Sequence, residues 1–318
     1  MPKISVCIPT CNRSQLLHYA VESALGQTET DVEIIVCDDG STDNTPDLMA
    51  TLIANHPDRT IRYIRHPQNI GKSNNMRSGF EAATGDYFIK FDDDDRLTPT
   101  FLAETGAILD QHPNIDLVGT DHWIIDINNV RDTAATDANS QKWGRAHLPG
   151  GVIQNLVEVT FIDQSLQIGA TLFRRRVLQE VNYMRPNIQN CEDNDLLVRL
   201  AIAGKQAYYL PKRLMEYRVH AGQQGIDRAT RYLKDKLTYL ENFKFETEPL
   251  ERVRQMRLRE TQLLLGLRLI ETGETQQGRQ FALAGQSASR GKAWVGLSLS
   301  LLPLGLRKQA FQRLRQIK

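Results

Sequence analysis

Short apolar runs alternate with helical segments of about a dozen residues from the amino terminus to residue 91, and this pattern leaves few folds open to the chain. Lys3 to Ile8 reads as a first strand stopped by Pro9. Ser14 then caps a helix in which Leu16, Leu17, Ala20, Val21, Ala24 and Leu25 fall on one face. Val32 to Cys37 is an almost unbroken apolar run, as in a strand covered on both faces. A helix to about Asn55, a strand over Ile61 to Arg65, a helix from Gly71 to Ala83 and a strand over Asp86 to Phe91 follow. The alternation predicts an α/β fold with a mostly parallel, doubly wound sheet flanked by helices. Ligands of such sheets bind outside the carboxyl ends of the strands.

Those ends carry the polar motifs. Pro9-Thr10 follows the first strand, Asp38-Asp39-Gly40 the second, and Asp92, Asp93, Asp94 and Asp95 the fourth. Side chains alternate along a strand, so an extended chain would set Asp92 and Asp94 on one side. Two such carboxylates repel unless a cation sits between them, and oxygen-rich sites suit Mg²⁺ or Mn²⁺ shared with a substrate phosphate. A solvated acidic turn capping the helix near Thr98-Pro99 is the plainer reading, but one Asp would suffice for a cap.

Beyond Thr98 a helix to about Gln111 is expected, then strands over Asp116 to Thr120 and Trp123 to Ile127. Asn128 to Gly151 reads as a polar surface loop, Leu166 to Phe173 as a strand and Arg174 to Val181 as a short helix. Glu192-Asp193-Asn194-Asp195 opens another helix, and Ala207 to Leu210 and Leu214 to Val219 read as the last strands. After Gly225 the chain turns helical and rich in Arg and Leu. The expected division is a domain over 1–225, in two halves to about 97 and from 98, and a helical extension over 226–318.

The net charge of +1 gives no reason to expect nucleic acid. The cysteines, Cys7, Cys11, Cys37 and Cys191, form no CxxC pair and read as reduced thiols, which points to the cytoplasm. The chain enters its first strand directly, so no secretory leader is expected. From Thr275 to Lys318 there is no Asp or Glu. In that tail Leu306, Ala310, Phe311, Leu314 and Ile317 are expected to form an apolar face opposite Arg307, Lys308, Arg313 and Arg315. Such a segment, 293–318, can lie on the inner face of an anionic membrane, pack on its own core or form a dimer contact. Oligomeric state is not readable from the sequence.

Taken in order, these motifs resemble the family 2 glycosyltransferases of the GT-A fold. Ser5 to Arg13 is similar to that family's first strand and nucleotide loop, with Cys11 where Tyr is usual. Ile34 to Asp43, Asn69 and Gly71, Gly85-Asp86, Phe91 to Asp95, Glu192-Asp193 and Tyr217-Arg218-Val219-His220 with Gln223 resemble its later blocks. The likeness spans about residues 3 to 225. The chain departs from it at Asn75-Met76-Arg77, where Ala-Arg-Asn is common, leaving Lys72 or Arg77 to replace a diphosphate contact.

The resemblance implies an inverting enzyme that moves a sugar from a UDP- or dTDP-sugar to a glycan or lipid-linked acceptor, in surface polysaccharide or glycoconjugate synthesis. It implies that Pro9, Thr10, Asn12, Arg13, Asp39, Asn69, Gly71, Asp92 and Asp93 line the nucleotide site. Asp94 and His220, with Asp92 as a further candidate, would bind Mn²⁺ or Mg²⁺, and Arg218 would meet the diphosphate. Asp193 would be the general base, supported by Glu192, whose pKa or that of Asp193 rises because the two charges adjoin. Two other readings are a sugar nucleotidyltransferase and a non-catalytic nucleotide-binding scaffold at the membrane. Cys11-Asn12-Arg13-Ser14 lacks the Gly-rich phosphate loop the former needs.

Overall fold

A computed structural model describes residues 3–186, 188–220 and 226–316, so Gln223 and Ile317 lie outside the described residues. The chain divides into two compact units, Met1–Gln223 and Gln224–Lys318. The first is built on a sheet of β1 (Ile4–Thr10), β2 (Val32–Asp38), β3 (Thr60–Arg65), β4 (Tyr87–Lys90), β5 (Arg96–Leu97), β6 (Leu117–Ile125), β7 (Arg131–Asp132), β8 (Gly151–Val152), β9 (Thr171–Arg174) and β10 (Ala207–Arg218). Its helices are α1 (Ser14–Leu25), α2 (Thr45–Asn55), α3 (Lys72–Ala82), α4 (Phe101–Gln111), α5 (Thr133–Lys142), α6 (Arg175–Glu180) and α7 (Glu192–Ile202).

The strands lie in the order β3-β2-β1-β4-β9-β6-β10-β5, with β7 beside β6 and β8 beside β10. β3, β2, β1 and β4 are parallel, as the alternating sequence requires. β9 runs antiparallel to both β4 and β6, so the second half of the sheet is mixed. Alternating side chains explain why β1 is buried throughout. Ile4, Val6 and Ile8 join Leu17, Val21 and Met49 on one face, while Cys7 joins Cys37, Met76 and Phe80 on the other.

On that second face Gly79 lets α3 approach the sheet. A Cβ there would lie 2.3 Å from the Cys7 sulfur and 2.6 Å from that of Cys37. Gly79→Ala is therefore expected to cost about 1–3 kcal/mol through overpacking, read as a melting temperature lowered by several degrees. An unchanged melting temperature would mean that α3 shifts at no cost.

Several local expectations are corrected. β1 continues through Pro9 to Thr10, because Pro9 faces the β4 side beyond Cys7↔Lys90, the last paired position there, and forfeits no ladder bond. The two strands expected on either side of Asp121 are one, β6, and the last two strands are one, β10, which carries register shifts around Arg213. Asp121 stays inside β6 because buried partners satisfy it: Ser140 and Arg145 donate to it at 2.7 and 2.6 Å. The expected loop over 128–151 instead holds α5, capped by Asp132, which accepts from the Ala135 amide at 2.9 Å. Strand β9 begins only at Thr171, after a 3₁₀ turn over Ile168–Ala170.

The second unit comprises α8 (Ile226–Glu241), α9 (Glu248–Thr272), α10 (Thr275–Ala284), α11 (Arg290–Leu299) and α12 (Leu304–Gln316). A Cβ at Gly266 would meet the Ala282 amide nitrogen at 2.4 Å, so the backbones of α9 and α10 touch. The amphipathic face expected of the tail is corrected. Arg307 is buried and donates to the carbonyls of Ile270, Ser300 and Leu302, whereas Leu306 and Leu314 are exposed and Phe311 is buried. Among the described residues no helix is long and apolar enough to cross a membrane.

Candidate active site

The carboxyl ends of β1, β2 and β4 bring three loops together. Asp39 donates its amide to the Thr10 carbonyl at 2.9 Å, fixing the second loop on the first. Its buried carboxylate accepts from the Ile70 amide at 2.6 Å and thereby draws in the loop of Asn69 and Gly71. Gly71 has φ of +90°, a conformation that favours glycine. Cys11 sits between these groups, its sulfur 3.5 Å from the Asp39 carbonyl and 3.6 Å from the side-chain nitrogen of Asn69. Asp39, Asn69 and Gly71 thus converge.

Thr10 and Asn12 serve the loops themselves. The Thr10 hydroxyl donates to Asp93 at 2.7 Å. Asn12, at φ +55°, accepts from the Thr42 amide at 2.7 Å, and its own amide donates to Ser41 at 2.8 Å. Of Pro9 the structure shows only its place at the end of β1. Arg13 lies against the aspartates, 2.9 Å from Asp93 Oδ1 and 3.0 Å from Asp94 Oδ2.

The aspartate run is a tight turn, with the Asp95 amide donating to the Asp92 carbonyl at 3.3 Å. The shared side expected of Asp92 and Asp94 is therefore absent, because the extended conformation ends before Asp93. Asp94 Oδ2 meets Arg13 and, at 3.1 Å, His220 Nε2. Asp92 turns instead to Lys90, 2.8 Å away. Asp95 accepts from the Arg218 amide at 2.9 Å.

Arg218, expected to meet a diphosphate, lies against the aspartate turn. It is fully buried, and its guanidinium donates to the Asp94 and Asp126 carbonyls and to Asn129 at 2.6–2.7 Å. The residue clamps the aspartate turn from behind. Arg77 is likewise held, by the carbonyls of Asn182 and Met184.

These placements set the charges. Burial works to raise the Asp92 pKa, but Lys90 and Lys72 nearby outweigh it and hold the carboxyl down to about 2. Burial pushes Asp93 up to about 6, aided by the Asp94 and Asp92 charges and opposed by Arg13 and Thr10. Because the folded value lies above the unfolded one, Asp93 favours folding below about pH 4, and that contribution is lost as pH rises through about 6. Asp93→Asn is expected to raise the melting temperature at pH 7, by at most about 3 kcal/mol of stability, and to leave it unchanged at pH 4. Thermal unfolding in a metal chelator checks this; equal shifts at both pH values would contradict it.

The network that sequence reasoning missed centres on Lys90. Read as part of an apolar strand, it is 1% exposed and its ammonium lies 2.8 Å from Asp92 and 3.3 Å from Asp193 Oδ2. Lys72 lies 2.6 Å from Glu192. A lysine in an otherwise apolar strand was the available signal, since a buried ammonium needs acidic partners. Asp193 Oδ1 is buried and has no hydrogen-bond partner. Burial first, then the Asp193 charge, raises the pKa of Glu192 against the pull of Lys72. Glu192, Asp193 and Asp195 occupy the first turn of α7, where the helix dipole favours negative charge. Asp195 is bound by Arg199 and Arg185 at 2.7 and 3.2 Å.

A divalent cation fits this site only with help from substrate. Among the described residues no group of three or more His, Cys, Asp or Glu is gathered to hold one. Asp94 and His220 offer one carboxylate and one imidazole, and Mg²⁺ or Mn²⁺ commonly completes such a set with phosphate oxygens and water.

The family model described as Glycosyl transferase family 2 matches residues 5–181, more than half of the chain. An uncharacterized glycosyltransferase of Nostoc is 29% identical over 229 residues, covering 72% of this chain and 68% of that protein. A GalNAc(5)-diNAcBac-PP-undecaprenol beta-1,3-glucosyltransferase of Campylobacter jejuni is 38% identical over 97 residues, 30% of this chain and 31% of that one. Among solved structures, a mannosyltransferase from Pyrobaculum calidifontis in complex with GDP-Man and Mn²⁺ is similar with a TM-score of 0.60 at 16% identity, over 97% of this chain and 83% of that one. With its family model matched over the strands that build the site, the chain belongs to glycosyl transferase family 2 and is a glycosyltransferase of the GT-A fold.

Proposed function

We propose that this glycosyltransferase is metal-dependent and inverting, and that it moves a sugar from a UDP- or dTDP-sugar to a glycan or lipid-linked acceptor in cell-surface polysaccharide or glycoconjugate synthesis. The observation that carries the reading is the Lys90 ammonium, which reaches Asp92 on the aspartate turn and Asp193 at the start of α7. It ties a donor-side carboxylate to a carboxylate with an unpartnered oxygen that can accept a proton.

Asp39, Asn69 and Gly71 line the base and ribose. The imide N–H of uracil or thymine donates to Asp39, whose second oxygen remains for it while the first holds Ile70. Asp94 and His220 would hold the cation, which would supply Lewis-acid stabilisation of charge on the departing diphosphate. Asp193 accepts the proton of the acceptor hydroxyl as its oxygen attacks C1 opposite the diphosphate, and Glu192 and Lys90 set the field around it. The lipid-linked substrate named for the Campylobacter relative supports the acceptor class. The Pyrobaculum neighbour carries a guanine nucleotide, so the base belongs in the test.

A thermal-shift panel of UDP, dTDP, GDP and their sugars, with and without Mn²⁺, tests the reading. A uracil or thymine nucleotide at a hundred times its dissociation constant adds about 2.7 kcal/mol of stability. The largest shift should come from such a nucleotide with Mn²⁺. A shift of the same size with and without Mn²⁺, or one for GDP alone, would overturn the corresponding part of the proposal.

A further inference from the structure

The second unit presents an apolar surface that its own core does not use. Trp294 is 64% exposed and Leu301 77%, and Val295, Leu302 and Leu306 are exposed with them on α11, the turn after it and the start of α12. Ala293, Leu297 and Phe311 supply the inward contacts of these helices. Exposed leucines in single positions are ordinary, but a Trp and several Leu gathered within thirteen positions of the chain mark a contact surface.

The cations of the same segment fall into two groups. Arg279 and Arg307 donate to Ser300 or nearby carbonyls, and Arg315 pairs with Glu271 at 2.7 Å. Arg290, Lys292, Lys308 and Arg313 are exposed, and none of them has an ion pair among the described residues. No acidic residue between Thr275 and Lys318 offsets them.

We propose that this surface docks on an anionic lipid bilayer, with Trp294, Leu301 and Leu302 entering the headgroup boundary and the exposed cations facing lipid phosphates. Charge complementarity selects this occupant over a second copy of the chain. A two-fold contact would set one basic patch against its equal, whereas an anionic surface neutralises it. Tryptophan at the rim also suits an interface that is apolar on one side and wet on the other. The inference stands apart from the catalytic assignment.

Cosedimentation of the full chain with phosphatidylcholine vesicles, with and without phosphatidylglycerol, tests it. The chain should sediment with the anionic vesicles and be released by high salt. Trp294→Ser with Leu301→Ser and Leu302→Ser should abolish sedimentation. Lys292→Gln and Lys308→Gln should each lower partitioning by about fivefold. All five positions are exposed, so the melting temperature should stay at the parent value, which separates lost docking from lost folding. Failure to sediment with either vesicle, or sedimentation unchanged in both variant sets, would overturn the proposal. So would a parent dimer that the apolar variant turns into a monomer while the parent ignores lipid.

Discussion

Asp94→Ala is expected to lower donor turnover on the order of a thousandfold, the rate equivalent of the several kcal/mol that a metal ion supplies to a departing diphosphate. The expectation follows from one oxygen. Asp94 Oδ2 is the point where His220 and Arg13 meet, at 3.1 and 3.0 Å. Removing it leaves the imidazole alone as a protein ligand and takes one of two carboxylates from Arg13. Nucleotide-sugar hydrolysis with Mn²⁺ gives the rate, and the melting temperature with a nucleoside diphosphate gives the binding. The Mn²⁺-dependent part of the thermal shift should vanish while a smaller, metal-independent shift survives through Asp39 and its loop. Retained Mn²⁺ dependence in the variant would move the metal elsewhere and remove Asp94 and His220 from that role.

Asp193→Asn should lower turnover by about 10²–10⁴-fold, the usual weight of a positioned general base, with little change in donor binding. The amide keeps the shape of the carboxylate and leaves Lys90 its stronger contact with Asp92, so folding should be preserved. That pairing of readouts separates the two variants. Asp94→Ala loses metal-linked binding and rate together, whereas Asp193→Asn loses rate alone. Wild-type turnover in Asp193→Asn would place the base on another residue, with Glu192 next to be tested.

Much of the donor side was legible in order. β1, β2, α3 and β4 follow from periodicity, and the loops after β1, β2 and β4 meet because strands of one parallel sheet end on one edge. The acceptor side was less so. α5 is polar almost throughout and lacks a helical stripe; it is held by the Asp132 cap and by Ser140, which binds Asp121 inside β6. Arg307 looked like a solvent-facing cation because nothing nearby in sequence shows that three carbonyls will surround it.

By itself the sequence determined the layered α/β frame and put aspartates at the ends of its strands, since periodicity and turn chemistry act over a few residues. Tertiary structure alone decided where the charges went. Arg218 became a buried clamp, Asp92 turned from Asp94 to Lys90, and Lys90 reached Asp193, a residue more than a hundred positions away. The reason is electrostatic: a charge taken out of water must find a partner wherever folding delivers one, and sequence spacing does not encode that distance.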